Sequence, residues 1–144
     1  MEDSSDIVLG INLLDRNPAF ERNVLASNSV VFRRCKDCTV NGLHIHDTRN
    51  STAAFLMEAC QRFNITTCTV LDCDGIGMSL DGVHDSTLSD SVLRDDRVPT
   101  KRSMTIRSKG GGGNMIVDNM MVGPDQIELS TNHTSGNFGG YRAY

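Results

Sequence analysis

Tryptophan is absent, and five Phe and two Tyr are the only aromatic residues in 144. That leaves few of the flat apolar rings on which neutral sugars stack. A basic surplus is also missing: 14 Lys and Arg face 18 Asp and Glu, for a formal net charge of -4. Without a positive excess to neutralise a phosphate backbone, nucleic acid is not an expected partner. No apolar run approaches the ~20 residues of a membrane span, so no membrane partner is expected either. The stretch opens Met-Glu-Asp-Ser-Ser-Asp, acidic where an export signal is basic and then apolar, so no signal is read in it.

A hydrophobic content of 38% with 22% charged residues suits one core and one domain over residues 1–144, with 139–144 as a candidate flexible tail. The cysteines are Cys35, Cys38, Cys60, Cys68 and Cys73, an odd number confined to mid-chain, unlike a disulfide framework. Cys35-x-x-Cys38 has the spacing of half a zinc site, which one of the other three would help to complete. The alternative, preferred here, is that all five act as small buried apolar groups.

Self-similarity explains their positions. One segment reads Val30, Phe32, Cys35, Cys38, Val40, Leu43, Ile45, Asp47; the next reads Phe55, Met57, Cys60, Phe63, Ile65, Cys68, Val70, Asp72 at identical offsets. A third runs Met78, Leu80, Val83, Ser86, Leu88, Ser91, Leu93, Asp95, and a fourth Ile106, Ser108, Gly111, Asn114, Ile116, Asn119, Met121, Gly123. A leading copy is read as Val8, Ile11, Leu13 and Asp15, and a trailing one as Ile127, Leu129, Asn132, Ser135 and Asn137. Period-two alternation in segments this short means strands, and three strands per copy bury an apolar face only by stacking copy on copy. The expected fold is all-β: a single-stranded parallel β-helix of about five coils. Neither end shows a cap, so it is expected to be a portion of a longer helix and to self-associate through open coil ends.

The stretches Asn64-Ile-Thr-Thr-Cys-Thr-Val-Leu-Asp-Cys-Asp-Gly-Ile-Gly-Met-Ser-Leu and Asn114-Met-Ile-Val-Asp-Asn-Met-Met-Val resemble the rhythm of the pectin-lyase-like superfamily, including its NosD-type repeats. The resemblance spans roughly residues 5 to 138. It implies the right-handed hand of the helix and an extracellular or periplasmic protein that binds or processes polysaccharide as a lyase or hydrolase. It does not assign a mechanism, because one fold serves many chemistries. The paired-Asp and Gly-His-Gly signatures of polygalacturonases do not occur here in their expected order.

Two rows of side chains are candidates for chemistry. Arg33, Glu58, Asp81 and Lys109 follow the first strand of successive coils and should lie ~5 Å apart on the outside. Glu58 and Asp81 are then a carboxylate pair near the spacing of retaining glycosidases, with Arg33, Arg107 and Lys109 placed to bind an acidic polysaccharide. The alternative is a solvated face of alternating salt bridges. In the second row, Asp47, Asp72 and Asp95 (with Asp15) end each third strand, where stacked carboxylates invite calcium. The competing account is that each Asp serves a turn. His44 and His46 should face outward, with His84 and His133 at turns; the Gly110 to Gly113 run is read as a tight corner. The alternative to a polysaccharide-directed protein is a non-catalytic structural or self-assembling solenoid.

Overall fold

The computed structural model describes residues 1–15, 29–49, 51–99, 101–123, 125–127 and 130–139. Pro18, Pro124, Leu129, Tyr141 and Tyr144, and all of the expected tail except Gly139, lie outside them. In chain order the strands are β1 (Val8–Leu9), β2 (Asn12–Asp15), β3 (Val30–Arg33), β4 (Lys36–Asn41), β5 (Leu43–His46), β6 (Ala53–Glu58), β7 (Gln61–Thr66) and β8 (Thr69–Leu71). They continue as β9 (Gly75–Asp81), β10 (Thr87–Ser89), β11 (Val92–Arg94), β12 (Arg102–Lys109), β13 (Met115–Val117), β14 (Met120–Met121), β15 (Asp125–Ile127) and β16 (His133–Ser135). Each pairs in parallel with its equivalents one coil away, giving sheets ordered β3-β6-β9-β12-β15, β1-β4-β7-β10-β13-β16 and β2-β5-β8-β11-β14. The chain is therefore a parallel β-solenoid. Among the described residues no helix is long and apolar enough to cross a membrane.

Stacking in register turns the repeat into columns. Leu9, Val40, Ile65, Leu88 and Ile116 follow one another in the second sheet, and Leu14, Ile45, Val70, Leu93 and Met121 in the third. In the first sheet Val30, Phe55, Met78 and Ile106 stack beside Phe32, Met57, Leu80 and Ser108. From Phe32 to Ile116 the apolar members of these columns are essentially without solvent contact. Phe32 lies against the ring of Phe55 and edge-on to Phe63, with centroids 5.7 and 5.2 Å apart, the offset and T-shaped arrangements that aromatic pairs favour.

The corners between strands explain the rest of the repeat. Turning a strand sharply requires a residue in the left-handed region, where side chains other than Gly, Asn and Asp are disfavoured. Arg34, Ala59, Gly82 and Gly110 make one corner at φ of 50° to 63°, while Gly42, Thr67, Asp90, Asp118 and Gly136 make another at 52° to 69°. Asp47 (φ 56°) and Asp72 (φ 50°) begin the third. In the glycine run, the nearest approach is at Gly111, where a Cβ would fall 2.0 Å from the Val83 carbonyl oxygen. No residue with a side chain fits there without moving the coil beneath.

Two interior corner columns carry polar residues. Phe63 donates its N–H to Ser86 Oγ (3.0 Å), Ser86 to Asn114 Oδ1 (3.0 Å) and Asn114 to Asn132 Oδ1 (3.3 Å). Five residues on, Cys68 donates to Ser91 Oγ (3.1 Å), Ser91 to Asn119 Oδ1 (3.0 Å) and Asn119 to Asn137 Oδ1 (3.0 Å). Backbone amides leave the sheet ladders at these corners, and a side chain from the following coil receives them. The asparagine amides return the favour to carbonyls: Asn114 Nδ2 reaches Val83 (2.7 Å) and Asn119 Nδ2 reaches Leu88 (3.0 Å).

Both outermost copies depart from the expected register. Leu9 and Leu14, not Val8 and Leu13, stack beneath Val40 and Ile45, so Val8, Ile11 and Leu13 point outward and are 78%, 89% and 67% exposed. Apolar residues occur there at both parities, and hydrogen bonding to β4 and β5 decides which set goes in. Asp15 consequently pairs with His46 and falls one place short of the Asp47 row. At the other end Ile127 stacks on Ser108 and Asp125 on Ile106. The expected copy set Ile127 on Ile106, two places off, and one further place is lost at a shorter corner: nine positions lead from Ile106 to Met115, but eight lead from Asp125 to His133.

Asn119→Ala is expected to lower stability by about 2–4 kcal/mol, because it strands the Ser91 amide and the Leu88 carbonyl inside the protein; urea denaturation measures it. Ala59→Gly should raise stability by about 0.5 kcal/mol in the same assay, since the relief of left-handed strain exceeds the added chain entropy.

Candidate functional site

The first sheet has the longest strands, β6, β9 and β12, and its rim carries the first charged row. Register places Arg33 beside Glu58, Glu58 beside Asp81, and Asp81 beside Lys109. The predicted adjacency of Glu58 and Asp81 is therefore present. Each carboxylate is also engaged across coils by arginine: Arg33 Nε donates to Glu58 Oε2, and Arg107 Nη2 donates to Asp81 Oδ2 (3.0 Å) and Ser79 Oγ (3.0 Å). Ser79, outward-facing between the inward Met78 and Leu80, is fully buried, so no sugar-sized furrow opens between the charges at this point. A cavity of about 10 Å³, room for a single water, lies elsewhere, lined by Ile65, Leu80, Leu88, Asn114 and Ile116 among others. It falls below the ~300 Å³ of ordinary ligand sites and holds none of the charged row.

The aspartate row is set in a denser network where the third strand leaves for the next coil. Asp47 is paired with Arg49. Asp72 accepts the Asp96 amide (2.8 Å) and lies 3.4 Å from His46 Nε2. Asp95, with a side chain only 3% exposed, is gripped by Arg97 through Nε (2.7 Å) and Nη2 (2.8 Å) and accepts the Arg102 amide (3.3 Å). Asp74 sits between Arg49 Nη1 (3.0 Å) and Arg97 Nη1 (2.8 Å), joining two coils. The fork-to-carboxylate bond from Asp95 holds the Arg97 guanidinium above its ordinary pKa, while burial pushes the nearby Arg102 below its own. Arg102 Nη2 reaches the Val70 carbonyl (3.2 Å), and Gly77 leaves it room: a Cβ there would lie 3.5 Å from Arg102 Cζ and 2.5 Å from the Thr105 oxygen.

Sequence reasoning singled out Asp47, Asp72 and Asp95 but missed their partners Arg49, Arg97 and Arg102. A signal was present two places downstream of each Asp, where Arg49, Asp74 and Arg97 form a second column of alternating sign. Among the described residues, no three His, Cys, Asp or Glu side chains gather in a manner that would hold a metal ion. His46 bridges coils through Nδ1 to Asp15 Oδ1 (2.9 Å), and the His44 ring lies 6.3 Å from it. His133 begins β16 instead of occupying a turn.

All five cysteines are free and buried, stacked as inward rungs: Cys35 lies against Cys60, which lies against Val83. Their thiols donate to carbonyls two residues back, as Cys68 Sγ does to Thr66 (3.4 Å). Burial pushes Cys38, Cys60 and Cys68 above the usual thiol range, the opposite of what a reactive or metal-binding thiolate needs. No family model matches this chain, and no curated protein is found to match it.

Asp95→Asn should cost about 2–4 kcal/mol, because Arg97 then keeps only Asp74 and the buried Arg102 loses the charge of the neighbouring Asp95. Thermal and urea unfolding of the variant beside the parent protein check this.

Proposed function

We propose that this chain is a non-catalytic structural solenoid, in which the charged rows clamp one coil to the next. The observation that carries this reading is that each of Glu58 and Asp81 already binds a guanidinium from a neighbouring coil. The same inter-coil pairing recurs away from that face, at Arg34 with Asp3 (2.6 Å) and Arg62 with Asp37 (2.5 Å). Those arginines hold the Asp3 and Asp37 carboxyls below their usual range. Charges arranged to satisfy one another along the stacking direction do the work of staples. A glycosidase instead needs one carboxyl free to give a proton and another free to attack.

A second reading is binding of an acidic polysaccharide along the first sheet by a protein of the extracellular space or periplasm. It is favoured by the exposed Lys109 at the end of the row and by Arg107 Nε, a buried donor with no acceptor among the described residues. The resemblance of the repeat to right-handed pectin-lyase-like helices points the same way. Calcium-assisted elimination gains no such support, because arginines and His46 already answer the aspartates it would use.

A panel of acidic polysaccharides, assayed for retention and for reducing or unsaturated ends with and without calcium, separates the readings. No product is expected, and Glu58→Gln or Asp81→Asn should each lower unfolding stability by up to about 1 kcal/mol, as partly exposed pairs do. Product release that disappears in either variant would replace the structural reading with an enzymatic one. Retention without cleavage, lost in Lys109→Ala, would establish the second reading.

A further inference from the structure

We propose that the protein stacks head to tail on a second copy of itself, with Asn12 of one copy continuing the interior column that ends at Asn137 of the other. This rests on the structural reading above and adds a partner and a polarity to it. The column Cys68, Ser91, Asn119, Asn137 runs in one direction: each amide donates to a side-chain oxygen from the following coil. Asn137 is its last described member, and among the described residues no later coil offers its amide an acceptor.

The same column begins at Asn12, which is in register with Leu43. Asn12 Nδ2 donates to the Gly10 carbonyl two residues back (3.0 Å), as Ser91 Oγ does to Ser89 (2.9 Å) and Cys68 Sγ to Thr66 (3.4 Å). Its donor is thus used as those of Ser91 and Cys68 are, whereas Asn119 and Asn137 reach back to Leu88 and Ile116 in the preceding coil, and Oδ1 remains as the acceptor with nothing bonded to it among the described residues. The first described coil presents the oxygen that the last described coil calls for.

The fit extends past this bond. Ile7 and Asn12 are five positions apart, as are Asn132 and Asn137, so β1 can extend the sheet beyond β16 while β2 extends the neighbouring sheet beyond β14. This register sets Leu13 next to Phe138 on the outside. They are 67% and 71% exposed, and Met120, in register with Phe138 on its other side, is 38% exposed. Stacking covers an apolar strip that is otherwise left in water. Inside, the half-buried Leu9 would meet Thr134. Stacking two first coils instead would oppose acceptor to acceptor and reverse the strand direction, so the ladder favours one polarity.

Thiol cross-linking with a short bifunctional reagent tests the arrangement, because the five natural cysteines are buried. Leu13→Cys and Phe138→Cys proteins should link when mixed and not when either is alone, and sedimentation should show assembly that grows with concentration. Asn12→Ala should weaken that assembly about five- to tenfold while its unfolding transition stays that of the parent. Linking of Leu13→Cys to itself would overturn the head-to-tail arrangement, and undiminished assembly of Asn12→Ala would overturn the role of the amide. A protein that stays monomeric at every concentration would remove the second copy altogether. None of these results bears on the structural reading, which stands or falls on polysaccharide retention and product release.

Discussion

A parallel solenoid depends on what happens to the amides at its corners. Along a strand, each N–H finds a carbonyl in the next coil, but at a corner the peptide planes rotate away from the ladder. An unmet buried amide costs about 1–3 kcal/mol, enough that several per coil would exceed the stability of a small domain. Here Ser86, Ser91, Asn114, Asn119, Asn132 and Asn137 supply the missing acceptors from the coil that follows. Each coil therefore completes the one before it, and the apolar columns align because the polar ones do.

The charges outside follow the same stacking logic. Arg33 with Glu58, Arg62 with Asp37, and Arg97 with Asp74 repeat a simple arrangement: opposite signs at equivalent positions of neighbouring coils. Exposed pairs of this kind add little individually. The corner network is different, because Asp95 and Arg102 are buried and their charges have no recourse to water. There the ion pairs fix how the long connection between β11 and β12 lies against the solenoid.

Much of this was legible in the chain because the repeat has constant offsets. Cys35 and Cys60, or Val40, Ile65, Leu88 and Ile116, could be stacked on paper since equal spacing within a copy means equal position in a coil. The method failed where spacing no longer discriminated. In the first copy Ile7, Val8 and Leu9 are all apolar, so alternation had two solutions. Near Ile127 a shift of two places leaves the same side chains facing inward, so alternation did not distinguish the two registers. In the candidate site, the Glu58–Asp81 adjacency followed from register, but their engagement by Arg33 and Arg107 did not, because it depends on how far and in which direction long side chains reach.

The sequence alone determined that the chain coils, where its strands and corners fall in the middle copies, and that its cysteines point inward. These follow from local rules: period-two alternation, the constant spacing of the copies, and the inability of one short strand to bury itself. Only the tertiary structure decided which of two apolar faces the first coil buries, and which arginine answers which carboxylate. It also decided that the polar column runs in one direction from coil to coil. Those outcomes are set by contacts between residues some 25 to 30 positions apart, where the deciding free energy lies in the match between neighbouring coils and not in any one of them.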